Sequence, residues 1–194
     1  MPVMKKKIGV LDIQGSVEEH FAALEKAAAE AGQAGVEAVL VKNKDDLKKV
    51  DGLIIPGGES TTIGKLLKES GMDKEIMKLR VPIYGSCAGA ILIAKKISGQ
   101  EKAQNLGLMD IEIERNAYGR QKDSFETEVV FDKKKIPAIF IRAPKIKKIG
   151  KNVKVLVKHN GEVVAVREGR FLVTMFHPEL TDDLSVHRYF LKMC

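Results

Sequence analysis

Apolar residues in the first half of the chain fall into two alternating rhythms. KKIGVLDI (6–13), VEAVLV (36–41), GLIIP (52–56) and VPIY (81–84) are short apolar runs of the kind that form buried strands. Between them lie stretches with helical spacing. VEEHFAALEKAAAEA (17–31) sets Val17, Phe21, Leu24 and Ala28 on one face. A short helix is predicted around Asp45–Lys49, with others over TTIGKLLKES (61–70), Asp73–Leu79 and Ala88–Lys96. Ser16, with Glu19 three residues on, reads as a capping box opening the first helix. Strands and helices taking turns in this way predict βαβ units on a parallel sheet.

The second half changes character. GLMDIEIER (107–115), SFETEVVF (124–131), AIFIRAP (138–144), NVKVLVKH (152–159), EVVAVREG (162–169) and FLVTMF (171–176) read as strands, and Asn160-Gly161 marks a hairpin between the fourth and fifth. DDLSVHRYFLKM (182–193) closes the chain as a helix. No repeat, low-complexity tract or Pro/Ser-rich linker interrupts it. One α/β domain over residues 1–194 is expected, a mixed sheet with helices on its faces and a β-rich later half.

Composition narrows the classes. No apolar run approaches the roughly 18 residues of a membrane span, so no membrane association is expected. MPVMKKKIGV has a basic start but no long apolar core or cleavage site, and a signal peptide is not expected. The two cysteines, Cys87 and Cys194, match no disulfide or metal framework. Free thiols in a cytoplasmic protein, with no metal and no cofactor, are the expectation. The net charge of +7 raises nucleic-acid binding, but the lysines are interleaved with glutamates and aromatic residues make up only 5%. A solvated basic face or an acidic protein partner fits better.

Gly85-Ser86-Cys87-Ala88-Gly89 lies where a strand turns directly into a helix. Glycines two before and two after the apex fit a nucleophile elbow, in which a Cβ at either position would clash and the apex side chain stands above the sheet. A cysteine there gains thiolate character from the helix N-terminus, and the Ala88 N–H can face an oxyanion. The alternative is a small cysteine buried in a tight junction. Of the four histidines, His20, His159, His177 and His187, His20 reads as a surface or half-buried position on the first helix. His177 ends a strand and begins His177-Pro178-Glu179. Proline favours an extended residue before it, and residues two apart then project to one side. Glu179 can so orient the imidazole, unless the segment is only a strand-ending turn. Pro56-Gly57-Gly58-Glu59-Ser60 lacks the lysine and spacing of a phosphate-binding loop. Its glycines let backbone N–H groups approach a substrate. This loop, Cys87 and His177 all follow strands, so they can meet at the carboxyl edge of one sheet.

IGVLDIQG (8–15), LIIPGGESTTI (53–63), YGSCAGAILIA (84–94), NLGLMDIEIERNAYGRQKDSFE (105–126), IFIRAP (139–144), HNG (159–161) and FHPELTDD (176–183) together resemble class I, triad-type glutamine amidotransferases. Within that class they are similar to the glutaminase subunits of pyridoxal 5′-phosphate synthases. The resemblance implies a flavodoxin-like three-layer fold, an open mixed sheet with helices on both faces. It implies Cys87 as nucleophile, His177 as base, Glu179 as its partner, and Ala88 and Gly58 as oxyanion-hole donors. It also implies glutamine contacts from Gly58, Glu59, Ser60, Arg115, Ile141 and Arg142, the arginines being otherwise readable as surface charges. The implied partners are L-glutamine and a separate synthase subunit. Other readings are a glutaminase subunit of a different amidotransferase, or another elbow-cysteine enzyme on a similar sheet. Asp12, where the family carries a small residue, and the long AAAEAGQAG segment depart from the pattern, and Cys194 has no matching role.

Overall fold

The computed structural model describes residues 5–32, 35–100, 104–115 and 124–194. Met1–Met4, Gln33 and Ala34 of the long segment, and the Asn116–Asp123 part of the resemblance stretch lie outside the described residues.

Seven strands form the main sheet. Its parallel part comprises β1 (Lys6–Leu11), β2 (Val36–Val41), β3 (Gly52–Ile55), β4 (Ile83–Ser86) and β12 (Phe171–Thr174). Two antiparallel strands, β11 (Glu162–Glu168) and β10 (Lys154–His159), extend one edge, giving the order β10-β11-β12-β4-β3-β1-β2. The parallel strands thus run β2-β1-β3-β4-β12, the flavodoxin-like doubly wound order. β3 and β4 are buried along their whole length, as continuous apolar runs in a covered parallel sheet must be. Helices α1 (Val17–Glu30), α2 (Lys44–Leu47), α3 (Ser60–Ser70), α4 (Met72–Lys78), α5 (Ala88–Ile93) and α6 (Ser185–Met193) cover the sheet's two faces. α1 packs on α6, while α3 packs on α4 and α5. None is long and apolar enough to cross a membrane.

The later strands do not all join this sheet. β5 (Ala94–Ile97), β6 (Met109–Glu114) and β9 (Lys145–Ile149) form a second sheet, and among the described residues β7 (Ser124–Phe131) pairs only with β8 (Lys134–Ile141). Two elements depart from their sequence reading. The helix expected over Ala88–Lys96 stops at Ile93, because Ala94 turns extended and pairs with Met109. Lys145–Ile149, not among the expected strands, forms β9, where Lys147 and Lys148 meet Glu114 and Glu112 of β6.

The first helix differs more instructively. Ser16 makes no capping hydrogen bond and Glu19 is exposed, so the capping box does not form. Val17, Leu24 and Ala28 of the expected stripe are buried, but Phe21 is only half-buried, and the buried face widens on the other side to take in His20, Ala23 and Ala27. His20, expected near the surface, is fully buried.

Candidate active site

The loops after β1 and β3 face each other where the strand order reverses, the switch point at which open α/β sheets take ligands. Cys87 follows β4 and His177 follows β12, so four adjacent strands deliver their carboxyl ends to one place.

The elbow has a steric origin. Cys87 has φ 46° and ψ −99°, a left-handed conformation that costs a non-glycine residue roughly 1–3 kcal/mol. A Cβ on Gly85 would lie 2.5 Å from the carbonyl carbon of Gly89, and one on Gly89 would lie 2.0 Å from the carbonyl oxygen of Ile55. Only glycine fits at either side of the apex. Strand hydrogen bonds hold the turn, with Cys87 N–H donating to Thr174 O at 2.9 Å. The Thr174 hydroxyl in turn donates to Phe176 O at 2.9 Å and accepts from the buried Tyr84 hydroxyl at 2.9 Å.

His177 is fixed from two directions. Its backbone N–H donates to Ile139 O of β8 at 2.8 Å, and its Nδ1 lies 2.7 Å from Glu179 Oε1. Pro178–Leu180 form a 3-10 turn, so it is this turn, and not an extended run, that brings the carboxylate under the imidazole. Burial alone would lower the His177 pKa. Hydrogen bonding and charge attraction from Cys87 and Glu179 outweigh it and raise the value to about 10. Burial likewise opposes ionisation of Glu179, but the facing His20 ring and the hydrogen bond from His177 hold its pKa well below the usual carboxylate range.

A cavity of about 510 Å³ opens over this pair. Cys87, Ala88, His177, Gly58, Glu59, Ser60, Arg115, Ile141 and Arg142 all line it, together with Gln14 and Ile91, which sequence reasoning did not single out. Glu179 stands behind His177, buried beneath the lining. Cys87 Sγ is 3.8 Å from Ile141 O. Glu59 has a second occupation as the cap of α3. Its carboxylate accepts from the N–H groups of Thr61 at 3.1 Å and Thr62 at 2.7 Å, and from Arg115 at 3.1 Å. Against the opposing effect of burial, the threonine hydrogen bonds lower its pKa to about 2. A neighbouring cavity of about 440 Å³, lined by residues including Asp12, Glu18 and Leu40, holds no cysteine or histidine. There Asp12 lies 3.4 Å from Lys42 Nζ.

Gly57 is gripped on both sides. Its carbonyl accepts from Ser16 N–H at 3.0 Å, and its N–H donates to Ser86 Oγ at 3.0 Å. Gln14 Oε1 accepts from Glu59 N–H at 2.9 Å. Gly15, at φ +107°, allows this closeness, since a Cβ there would sit 1.8 Å from Gly57 O. Gly15→Ala should therefore lower stability by about 2 kcal/mol or more and displace Gly57, reducing whatever turnover the site supports. Thermal unfolding alongside turnover checks this; an unchanged rate would mean the loop tolerates the displacement.

Comparison with known proteins matches residues 10–194 to the SNO glutamine amidotransferase family. The chain belongs to that family. Among relatives of this amidotransferase is "Pyridoxal 5′-phosphate synthase subunit PdxT" of Thermoanaerobacter sp. (strain X514), 49% identical over 193 residues, covering 96% of this chain and 98% of the relative. The protein of the same name from Brevibacillus brevis is 50% identical, with 96% of each covered. A crystal structure of a glutamine amidotransferase superposes with a TM-score of 0.87 at 41% identity, covering 96% of this chain and 97% of that one. A glutamine amidotransferase from Thermotoga maritima, at 15% identity and a TM-score of 0.59, shares the fold, with 90% of this chain and 76% of that one covered. The amidotransferase thus has the flavodoxin-like mixed sheet that the sequence led one to expect.

Proposed function

We propose that this amidotransferase, a single glutaminase domain over residues 1–194, hydrolyses L-glutamine to L-glutamate and ammonia and hands the ammonia to a pyridoxal 5′-phosphate synthase subunit. Relatives of nearly equal length, named as that synthase's PdxT subunit, support the pathway. The observation that carries the chemistry is the elbow Cys87 beside the buried His177–Glu179 pair at the wall of one cavity.

His177 takes the thiol proton, and the Cys87 sulfur attacks the side-chain amide carbon of glutamine. The carbonyl electrons move onto oxygen, which Ala88 N–H and Gly58 N–H stabilise. The oxyanion collapses, His177 protonates the departing nitrogen, and ammonia leaves a thioester on Cys87. Water then attacks this thioester while His177 accepts a proton from the water. Glutamate departs and the thiol is restored. Arg115 and Arg142 suit the substrate's α-carboxylate, a planar anion that a guanidinium matches. Both cysteines are free thiols, as a reducing cytoplasm keeps them.

The test is ammonia release from glutamine with and without the synthase. The chain alone is expected to be slow, because Gly57–Gly58 is a peptide that can exist in two orientations and only one turns the Gly58 N–H towards the oxyanion. Losing one such donor costs about a hundredfold, so synthase should raise kcat by a comparable factor. Full activity unchanged by the partner would remove the switch and leave the triad untouched.

A further inference from the structure

Behind the triad lies a second polar cluster that the reaction above does not use. His20 of α1, Ser86 at the end of β4 and His187 of α6 are all fully buried, and they touch one another across 66 and 167 residues of sequence. We infer that His20 is a positioning residue for the triad, tying the Glu179 carboxylate to the backbone of Gly57 through Ser86. The inference rests on the glutaminase reading above.

Hydrogen-bond bookkeeping assigns the protons. Ser86 Oγ accepts from Gly57 N–H at 3.0 Å and lies 2.8 Å from His20 Nε2 and 3.5 Å from Glu179 Oε1. His20 Nε2 is also 3.4 Å from Glu179 Oε2, which has no hydrogen bond among the described residues. A proton on His20 Nε2 therefore goes to Ser86 Oγ while its positive end still faces the carboxylate 3.4 Å away, and the Ser86 hydroxyl is left to donate to Oε1. The opposite arrangement would aim a nitrogen lone pair at a buried anion. His20 Nδ1 then accepts from His187 Nε2–H at 3.0 Å. His187 Nδ1, which has no partner among the described residues, is left as a bare lone pair and not as a buried, unpaired N–H. Burial and the nearby His20 push the His187 pKa down to about 3, which suits a neutral ring in that role.

Ser16 completes the clamp. Its hydroxyl lies 2.7 Å from Glu179 Oε1, and its backbone N–H holds Gly57 O. The two serines thus take opposite sides of Gly57 while facing one carboxylate oxygen, and His20 is the group that faces the other oxygen. An apolar side chain at position 20 would leave Oε2 a buried charge without a facing donor, free to turn away from His177.

The experiment is steady-state ammonia release by the full chain with its synthase, for His20→Leu, His20→Gln and Ser86→Ala, each alone and combined with Glu179→Gln. Loss of the donor to Ser86, and of the N–H that faces a buried carboxylate, predicts a fall in kcat of about thirtyfold for His20→Leu, with KM little changed. His20→Gln keeps an amide donor within reach of Oε2 and should recover most of the loss. In the Glu179→Gln background, His20→Leu should cost less than about threefold, because a residue that acts through Glu179 has nothing left to act on. Equal factors in both backgrounds, or a change confined to KM, would overturn the assignment. If His20→Leu does not fold, Ser86→Ala carries the same comparison, since it removes the bridge and keeps the histidine. A wild-type chain that releases no ammonia, or a Cys87→Ala variant that still does, would instead bring down the glutaminase reading, and this inference with it.

Discussion

Replacing Cys87 with serine or alanine should abolish glutamine hydrolysis, a loss of about four orders of magnitude or more, while the chain stays folded. The elbow conformation belongs to the backbone and its two flanking glycines, and a smaller apex residue meets no new atom there. A serine hydroxyl gives up its proton far less readily than a thiol, so His177 has little to work with. Ammonia release, read beside thermal unfolding, checks both halves of the expectation. Electrophilic glutamine analogues should label Cys87 and spare Cys194, whose thiol burial pushes up to about 12. Labelling confined to Cys194 would overturn the nucleophile assignment.

Removing the histidine should be nearly as damaging. In the proposed mechanism, His177→Asn takes away both the acceptor of the thiol proton and the donor to the departing nitrogen, two jobs that the buried Glu179 cannot combine. Glu179→Gln is milder, because the carboxylate orients the ring and favours its protonated form without touching the substrate. The pH profile separates the two roles. The His177 pKa is raised to about 10, so the step that needs imidazolium should persist to alkaline pH and fail only as the pH approaches that value. Glu179→Gln deletes one of the groups that raise the pKa, so its alkaline limb should move to lower pH. A limb that stays in place would mean that Glu179 does not set the charge of the ring.

Sequence reasoning reached the parts of the site that are written locally. The Gly-x-Cys-x-Gly spacing is itself the steric requirement of the elbow, so it could be read without knowing what surrounds it. His177 and Glu179 were paired on an extended-chain argument. The structure pairs them through a 3-10 turn, which a two-residue spacing cannot distinguish from a strand end. What escaped were contacts made by folding alone. The first helix is rich in alanine, so its apolar stripe has little contrast, and Phe21 marks the edge of the buried face furthest from His20, Ala23 and Ala27. A stripe drawn through Phe21 leaves His20 outside it. Ser16 looked like a helix cap because serine before a helix usually is one, and nothing nearby in sequence reveals that Glu179, 163 residues on, takes its hydroxyl. Gln14 and Gly15 lay within a stretch already tied to the family, and the rule that placed Gly58 at a strand's carboxyl end applied to them as well.

The hydrogen bond from His177 N–H to Ile139 O has a consequence for how the enzyme ages and breathes. The cysteine is anchored inside a seven-stranded sheet, but one anchor of the histidine is a ribbon of two strands, the kind of element that stands only while it leans on something else. Ile141 and Arg142, on the cavity wall, ride on the same ribbon. Fraying of β7 and β8 would loosen His177 and the cavity wall together while leaving Cys87 in place. Such a molecule would keep a thiol open to oxidants and alkylating agents after it had lost the means to use it. The durability of the catalyst is then that of its thinnest sheet.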